Sequence, residues 1–558
     1  MKDTKKMNKR LSSNKNQKSS LMDSVVCQVK AVELDGQARV KVKNQNWLIK
    51  GACENEEVVV KFLKRIEQGI VGEVVEVKKA NPQRCRMDCR IAHECGGCQY
   101  RYMRYQEQLA MKKRQIIRLL EGERIRLKVH DVMGMEVPLA YRNKMIKSFS
   151  KDKAGVHFGF YGEYSHNVVD VKRCLNHEKI SDEVFDTIER LVKKYRIPVY
   201  DEDRKQGCIR HVLIRRAVKS NETLVCLVAA SKQLPQGKGF VNDLITAHPE
   251  IKSVVLNVNM RKTSIVLGDE EKVLYGKGTV CDELCGLKFN ISSRSFYQIN
   301  HDQTERLYKK AIELMNPSKE DVVYDMYCGI GTIGLCCAQH VKQVVGVEVN
   351  AQAIKDAIVN AKSNKVENIR FVCADASDFM MKSAKEKKHI DCVFIDPPRS
   401  GCDERFLDAL VYLKPKKIVY VSCDPSTQVR DLKYLFRNGY KAEEMYLVDM
   451  FPNTSHIETV CLLSKLNTKQ HIEVEVKLDE LDLTAAESKA TYEEIKAYVL
   501  EHSGLKVSSL YIAQVKQKCG IIERENYNKP KSENPKQPVC PPEKEKAIME
   551  ALKYFGMI

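Results

Sequence analysis

The residues Val322-Val-Tyr-Asp-Met-Tyr-Cys-Gly-Ile-Gly331 combine a short apolar run, an aspartate and a glycine-containing turn. This order is typical of a buried parallel strand that leads into a helix. Five similar apolar runs follow before residue 466, and each ends in a polar residue or soon reaches one. Because helical segments separate these runs, the pattern predicts a doubly wound α/β sheet, of the Rossmann-like class, within residues 291–466.

The polar residues at the strand ends predict a cofactor site, because ligands of such sheets bind at the carboxyl ends of the strands. Glu348 ends the second strand, where a carboxylate can hold two ribose hydroxyls, and Asp375 is expected to end the third strand, within reach of an adenine edge. The turn of residues 325–331 is not a phosphate-binding GxxxxGK[ST] loop. A nucleoside without phosphates, such as S-adenosylmethionine, therefore fits better than NAD, which remains the second candidate.

Two further strand ends carry reactive side chains. The fourth strand ends in the motif Asp396-Pro-Pro-Arg399. Related motifs in amino-methyltransferases bind flipped-out bases. Cys423 ends the fifth strand and Glu458 opens the last. Methylation of uracil at C5 needs a thiolate that adds to C6 and a base that removes the C5 proton, and we expect Cys423 and Glu458 to fill these roles. A buried structural cysteine is the alternative for Cys423, and amino-methylation of adenine or cytosine is the alternative reaction.

A cluster of cysteines lies in Cys89-Arg-Ile-Ala-His-Glu-Cys-Gly-Gly-Cys98. Three close thiolates and one distant thiolate suit either zinc or an iron–sulfur cluster, and the spacing alone slightly favours zinc. Cys85 is an extra thiol that could serve as an alternative ligand. The chain has 21 cysteines, and we expect no secretory signal, so these cysteines are expected to be metal-binding, catalytic or buried thiols rather than disulfides.

The charge of the chain points to a polyanionic partner. Lys and Arg number 93 against 74 Asp and Glu, for a formal net charge of +19. Basic side chains bind nucleic acid by displacing condensed counterions, so we expect an RNA partner, although a basic protein without one is the alternative. The sequence has no apolar run long enough to span a membrane, so we expect no contact with a membrane. We also expect the protein to be cytoplasmic and monomeric.

From about residue 20 to residue 466 the chain resembles the bacterial RNA uracil-5-methyltransferase family, whose members modify large-subunit ribosomal RNA or transfer RNA. The motifs that carry the resemblance are Ser295-Phe-Tyr-Gln-Ile-Asn300, residues 325–332, Asp396-Pro-Pro-Arg-Ser-Gly401, Val421-Ser-Cys-Asp-Pro425 and Asp449-Met-Phe-Pro452 with His456-Ile-Glu458. The resemblance implies contacts to the cofactor or the target base by Gln298, Tyr327, Glu348, Asp375 and Asp396.

The resemblance also bears on the cysteines and the substrate. In the ribosomal branch of the family, three cysteines with this spacing and a fourth in a later Val-Lys-x-Cys segment bind a [4Fe-4S] cluster. Here those ligands are Cys89, Cys95, Cys98 and Cys174. Family members that act on transfer RNA generally lack these cysteines, so the resemblance implies 23S ribosomal RNA as the substrate. A transfer RNA enzyme and a non-catalytic iron–sulfur assembly factor that binds RNA are the alternatives.

We expect five regions along the chain. They are a basic disordered arm (residues 1–19), an OB-like barrel that the resemblance identifies as a TRAM domain (20–80), an iron–sulfur segment with a central α+β RNA-binding domain (81–290), the methyltransferase domain (291–466) and a helical extension (467–558). In the central domain, Tyr141-Arg-Asn-Lys144, Arg210-His211 and Arg215-Arg216 are all capable of phosphate contact. In the extension, Ser508 or Ser509 is expected to cap a helix that ends at Lys518. The extension contains lysines and tyrosines that suit RNA binding. The alternative is that the extension only docks on the catalytic core.

Overall fold

The computed structural model describes residues 24–151, 155–163, 165, 167–202, 204–263, 265–466, 492–519, 540–555 and 557. The chain divides into two compact units, Met1–Asn467 and Thr468–Ile558. The basic arm expected at residues 1–19 lies outside the described residues, as do parts of the extension. Within the described ranges, no helix has both the length and the apolar character needed to cross a membrane.

The first five strands form a small sheet around a core of valine, isoleucine and Trp47. They are β1 (Ser24–Gln28), β2 (Ala38–Val42), β3 (Gln45–Lys50), β4 (Glu57–Ile66) and β5 (Gly69–Lys79), in the order β1-β4-β5-β3-β2. All neighbours are antiparallel except β3 and β5. Exposed and buried residues alternate along β1, as expected for a strand with one buried face. The five strands agree with the predicted OB-like fold.

The next segment contains the cysteines and leads into helix α1 (Tyr105–Gly122) and strand β6 (Lys128–Met133). Although β6 precedes the central domain in sequence, it pairs with a strand of the doubly wound sheet formed by the C-terminal part of the first unit. The N-terminal part of the chain therefore contributes to the sheet on which the candidate site is built.

The central domain is a seven-stranded sheet. Its strands are β7 (Lys144–Lys151), β8 (Val156–Tyr161), β9 (Val168–Asp170), β10 (Ile209–Arg216), β11 (Thr223–Ala229), β12 (Ile251–Val258) and β13 (Glu270–Gly276), in the order β13-β12-β11-β10-β7-β8-β9. Helices α2 (Lys179–Lys194) and α3 (Gly237–Ala247) share an apolar core with this sheet. A hairpin of β14 (Thr279–Leu284) and β15 (Leu287–Ser292) follows.

The doubly wound sheet has five parallel strands at its centre. They are β16 (Val322–Met326), β17 (Gln343–Glu348), β18 (Ile369–Cys373), β19 (Cys392–Ile395) and β20 (Lys417–Ser422), in the order β18-β17-β16-β19-β20. The accompanying helices are α4 (His301–Met315), α5 (Thr332–Ala338), α6 (Ala351–Ser363), α7 (Ala376–Lys385), α8 (Glu404–Leu413) and α9 (Pro425–Arg437). The strand order reverses between β16 and β19, which makes this edge a topological switch point where ligands bind. The predicted doubly wound sheet is confirmed.

The remaining strands of this sheet are β21 (Tyr440–Lys441), β22 (Glu444–Val448) and β23 (Glu458–Lys465). Strand β23 lies between β20 and β22 and is antiparallel to both, while β6 extends the edge parallel to β22. The loop from β22 to β23, residues 449–457, is called the catalytic loop below because Glu458, the base expected from the sequence, directly follows it.

The second unit contains α10 (Tyr492–Ser503), α11 (Ser509–Lys518) and α12 (Pro542–Tyr554). Its own apolar core includes Ile495, Ile512 and Ile548. The Ser508 hydroxyl accepts a hydrogen bond from the backbone N–H of Tyr511, which confirms the predicted helix cap.

Candidate active site

Two carboxyl groups flank the switch point of the sheet. Asp325 lies near the end of β16, and its Oδ2 accepts a hydrogen bond of 2.8 Å from the Gly334 backbone N–H at the start of α5. Asp396 directly follows β19, the neighbouring strand. Burial raises the pKa of Asp325 to about 7, with further contributions from the Asp396 and Glu348 carboxylates. Burial also raises the pKa of Asp396 to about 7, so this edge of the sheet can hold protons near neutral pH.

Glu348 is tied to the turn that follows β16. The backbone N–H groups of Gly329 and Asn350 donate to its two carboxylate oxygens at 3.2 and 2.8 Å. In the same turn, Gly331 has a φ of +81°, and a Cβ atom there would lie 2.8 Å from the Phe371 ring. A larger residue is therefore excluded at this position, which explains the glycine in the sequence pattern.

Tyr327 adopts a left-handed backbone conformation with a φ of +64°. Such a conformation is strained for a bulky residue, and strain of this kind concentrates at functional sites. Its ring packs near Phe406, with 5.7 Å between the ring centroids. The side chain therefore stands at the predicted cofactor edge in a conformation that the surrounding packing maintains.

The other two expected cofactor residues are held differently. Gln298 is buried, and its backbone carbonyl accepts a hydrogen bond of 2.8 Å from the Asn143 amide. Strand β18 ends at Cys373, so Asp375 lies beyond the strand and not at its end. Its Oδ1 accepts from the backbone N–H groups of Ser377 and Asp378, because Asp375 is the N-cap of α7. The sequence interpretation missed this capping role, although an aspartate before a helical segment is its usual signal.

Cys423 and Glu458 lie at the facing ends of neighbouring antiparallel strands. Ser422, the last residue of β20, pairs with Thr459 of β23, so Cys423 follows and Glu458 precedes this pair. Cys423 is partly exposed, whereas Glu458 is buried. Residues opposite each other in such a ladder lie on the same face of the sheet. The thiol and the carboxyl group are therefore brought together at one edge.

The electrostatics of this pair depend on burial and on two neighbours. Burial raises the pKa of Cys423 to about 11, with further contributions from Glu458 and Asp396, while the Arg399 guanidinium lowers it. Burial also raises the pKa of Glu458 well above its usual range, and Asp396 adds to this shift. In the protein without a substrate, the Cys423 thiol therefore retains its proton near neutral pH, while burial favours the protonated form of Glu458.

Arg399 and His456 were named only as motif residues in the sequence interpretation. The Arg399 guanidinium lies 3.4 Å from His456 Nε2. Burial lowers the pKa of His456 to about 4, and the cations of Arg399, Lys112 and Arg142 lower it further. His456 is therefore neutral at physiological pH, and Arg399 is a cation at the site that can favour the Cys423 thiolate.

The catalytic loop is bound by the segment that follows the cysteines. The backbone N–H groups of Gln99 and Tyr100 each donate to the Asn453 carbonyl at 3.0 Å. The Gln108 amide exchanges hydrogen bonds with Asn453, and the Tyr141 hydroxyl donates to the Pro452 carbonyl at 3.0 Å. Nothing in the local sequence pattern predicts these contacts, because the partners are far apart in the chain.

The four expected metal ligands line one cavity of about 440 Å³. These residues are Cys89, Cys95, Cys98 and Cys174. The Asn176 amide donates a hydrogen bond of 3.3 Å to Cys98 Sγ. Burial raises the pKa of Cys174 to about 12, and burial also raises that of Cys98. In the part of the chain that the structure describes, no three His, Cys, Asp or Glu side chains are placed closely enough to hold a metal ion.

Cys85 does not line this cavity. Its thiol donates a hydrogen bond of 3.7 Å to the Arg101 carbonyl instead. The structure therefore separates the extra thiol from the four that share the cavity.

Known proteins resemble this chain in sequence and in fold. A sequence profile of the family described as tRNA (Uracil-5-)-methyltransferase matches residues 253–466. An RNA methyltransferase of Bacillus cereus is 37% identical over 434 residues, which cover 77% of this chain and 94% of that protein. An RNA methyltransferase of Staphylococcus aureus is 38% identical over 433 residues, covering 77% of this chain and 95% of that protein.

A solved structure extends the likeness to three dimensions. The Pyrococcus abyssi tRNA (uracil-54, C5)-methyltransferase in complex with S-adenosyl-L-homocysteine has a TM-score of 0.64 and 26% sequence identity to this chain. The similarity covers 79% of this chain and 100% of that chain.

Proposed function

The chain belongs to the RNA uracil-5-methyltransferase family, and we propose that it methylates C5 of a uridine in 23S ribosomal RNA. The observation that carries this proposal is the placement of Cys423 and Glu458 at facing strand ends, next to Asp396. A nucleophilic thiol and a carboxyl group at one edge are the two groups that C5 methylation requires. Amino-methylation of adenine or cytosine uses neither group.

S-adenosylmethionine is the methyl donor, in keeping with the S-adenosyl-L-homocysteine bound to the structural neighbour. It supplies an electrophilic methyl group on a sulfonium. We propose that Gln298, Tyr327, Glu348, Asp375 and Asp396 surround the donor and the target base. Glu348 would receive the ribose hydroxyls, because its carboxylate lies at the end of β17 beside the glycine turn.

The proposed reaction begins when the Cys423 thiol loses its proton to solvent and the thiolate forms a bond to C6 of the uracil, which opens the C5–C6 double bond. Electron density then reaches C5, which attacks the methyl group and forms a carbon–carbon bond as the carbon–sulfur bond of the donor breaks. Glu458, after losing its own proton to solvent, takes the remaining proton from C5, and the electron pair of that bond re-forms the C5–C6 double bond as the Cys423 sulfur leaves C6. Arg399 assists the first step, because its positive charge lowers the pKa of the thiol.

We propose that the four cysteines that line one cavity bind a [4Fe-4S] cluster, which requires their thiols to move closer together than they lie in the structure. Four thiols match the ligand number of such a cluster, and Asn176 provides a hydrogen-bond donor to one sulfur. Arg101 also lines the cavity, where its guanidinium can complement an anionic cluster. We assign the cluster a structural or RNA-positioning role, because transfer of a methyl group from a sulfonium needs no redox step.

Ribosomal RNA is the proposed substrate because the cluster cysteines are present. The OB-like barrel of β1–β5, taken as a TRAM domain, and the net charge of +19 support RNA binding by a cytoplasmic monomer. Transfer RNA is the second candidate, since the structural neighbour is a tRNA (uracil-54, C5)-methyltransferase. A non-catalytic assembly factor would not need Cys423 and Glu458 together.

The proposal is tested by mapping 5-methyluridine in cellular RNA. Cells that lack the gene should lose the modification from 23S ribosomal RNA, and the wild-type gene should restore it. A Cys423→Ala gene should not restore it, although the purified variant should bind S-adenosylmethionine with nearly unchanged affinity. Loss of the modification from transfer RNA alone would select the second candidate. Restoration by Cys423→Ala would refute the covalent mechanism.

A further inference from the structure

The basic residues of the central domain fall into two groups in the structure. Arg210 donates to the Glu202 carboxylate and to the backbone carbonyls of Asn259 and Arg261. Arg216 donates to Glu178 and to Thr223. Both guanidinium groups are buried and engaged within the protein, so neither is available to an external anion.

Arg142, Lys144 and Arg215 behave differently. Lys144 of β7 pairs directly with Arg215 of β10, so their side chains lie on one face of the sheet, and Arg142 precedes Lys144 by two positions. Among the described residues, no carboxylate lies within salt-bridge distance of any of the three. Three cations that have no carboxylate partner in the described part of the chain therefore lie near one another.

Arg215 is the most buried of the three cations. It is 2% exposed, and one of its nitrogens, Nη2, donates to the Ser295 carbonyl. Its Nε and Nη1 are buried and have no acceptor among the described residues. Buried donors without partners are unfavourable, and a nearby anion would offset this cost. Burial and the cations of Arg215 and Arg142 lower the pKa of Lys144 to about 8, which also favours an anion beside it.

The position of these cations relates them to the cysteine cavity and to the catalytic loop. Arg142 and Lys144 line the cavity of the four cysteines. Arg142 also lies close enough to His456 of the catalytic loop to lower its pKa. Ser295, which Arg215 contacts, precedes Phe296, whose ring is 64% exposed. Arg142 therefore lies near both the cysteine cavity and the catalytic loop.

We propose that Arg142 and Lys144 bind one phosphodiester of the RNA next to the target uridine, with Arg215 supplying positive charge behind them. This inference rests on the proposed function and adds the backbone contact that positions the target nucleotide. Guanidinium and ammonium groups are the usual ligands of phosphate oxygens. The phosphate would fix the RNA strand beside these cations, while the uracil occupies the edge that holds Cys423.

The test measures RNA binding across a salt series, with full-length protein and a ribosomal RNA fragment that contains the target uridine before methylation. Arg142→Gln and Lys144→Gln should each weaken binding roughly tenfold and reduce the slope of log Kd against log salt by about one. Lys193→Gln, at an exposed lysine of the same domain, should leave the slope unchanged. Arg142→Lys keeps the charge and should keep most of the slope.

A second measurement identifies the phosphate itself. RNA with a neutral methylphosphonate beside the target uridine should bind wild type more weakly than unmodified RNA does. Lys144→Gln should bind the two RNAs almost equally, because it has already lost that contact. Equal slopes for wild type and both charge-removing variants would overturn the site. Weaker binding of S-adenosylmethionine with unchanged RNA binding would also overturn it and reassign the cations to the carboxylate of the donor.

Failure of the proposed function would look different. A wild-type protein that binds the fragment but forms no 5-methyluridine would contradict the reaction, while the salt slopes and the methylphosphonate would still decide the phosphate site.

Discussion

The ammonium of Lys112 lies 2.5 Å from the Asp449 carboxylate, and neither side chain is exposed to solvent. Lys112 belongs to α1, which follows the cysteine segment, and Asp449 begins the catalytic loop. Lys112 also donates to the His456 carbonyl at 2.8 Å, and the Tyr105 hydroxyl donates to the other Asp449 oxygen at 2.7 Å. Helix α1 therefore fixes the catalytic loop at its start and just before Glu458.

We expect Lys112→Met to destabilise the protein by about 3–5 kcal/mol, because it leaves a buried carboxylate without its partner. The catalytic loop should also become less ordered, so kcat should fall more than the affinity for S-adenosylmethionine. Chemical denaturation and steady-state kinetics measure the two effects. Lys113→Met, at the neighbouring exposed pair with Asp131, is the control and should change little.

The double variant Lys112→Met, Asp449→Leu separates the loss of the ion pair from the loss of packing. It should recover much of the stability, because neither charge remains buried. A single variant as stable as wild type would show that the ion pair does not hold the loop.

Glu458→Gln should trap the reaction after methyl transfer. The amide cannot accept the C5 proton, so the bond between Cys423 and C6 should persist. We expect a protein–RNA adduct that survives denaturing electrophoresis and disappears in the double variant with Cys423→Ala. Glu443→Gln, at an exposed glutamate, should turn over normally. Rapid turnover of Glu458→Gln without an adduct would place the base elsewhere.

The reactivity of Cys423 should rise with pH and depend on Arg399. Below the pKa of about 11, the thiolate fraction increases roughly tenfold per pH unit, so alkylation should accelerate accordingly between pH 7 and 9. Arg399→Gln removes a charge that lowers this pKa, and the profile should therefore move to higher pH. Mass spectrometry of the Cys423 peptide after timed alkylation provides the measurement. An identical profile for the variant would exclude Arg399 from thiol activation.

Protein purified without oxygen should contain about four irons per chain and absorb broadly in the visible range. Cys98→Ser should lower the iron content, because Cys98 lines the cavity of the four thiols. Cys85→Ser should not, because the Cys85 thiol faces the Arg101 carbonyl outside that cavity. One zinc per chain without iron or sulfide would reverse the assignment and agree with the preference of the spacing alone.

The strand ends were the most predictable part of the site. Glu348, Asp396 and Cys423 follow apolar runs, and the carboxyl ends of parallel strands meet at one edge, so a local pattern was sufficient. Lys112 and Asp449 could not be paired in this way, because they are 337 positions apart and only the tertiary fold brings α1 to the catalytic loop.

The roles of the basic residues in the central domain could not be predicted from the sequence either. The sequence treated Arg210, Arg215 and Arg216 alike, and only the positions of Glu202 and Glu178 distinguish the engaged side chains from Arg215. Asp375 shows that prediction from sequence is also limited among residues close together in the chain. Its distance from β18 and its bonds to the start of α7 depend on where the strand ends, and apolar patterns define such boundaries poorly.

The final prediction concerns the second unit, Thr468–Ile558, which we expect to bind RNA without taking part in chemistry. Rings of α10 and α12 form a stack in which Tyr498 lies 3.9 Å from His502 and 4.5 Å from Tyr554, between ring centroids. Tyr554 is 67% exposed, and an exposed ring of this kind can stack on an unpaired base. Of the lysines that suggested RNA binding, Lys518 pairs with Glu545 inside the unit. Those at positions 529, 531 and 536 lie outside the described residues.

Deletion of residues 468–558 should leave methylation of a short hairpin nearly unchanged, because the unit has its own core and Glu458 lies outside it. Binding to long ribosomal RNA should weaken, most strongly at low salt, where contacts to phosphates contribute most. Tyr554→Ser in the full-length chain should reproduce part of this loss while the helices remain folded, since the ring is mostly exposed. Equal binding by the full-length and truncated proteins across the salt series would show instead that the unit serves only for docking.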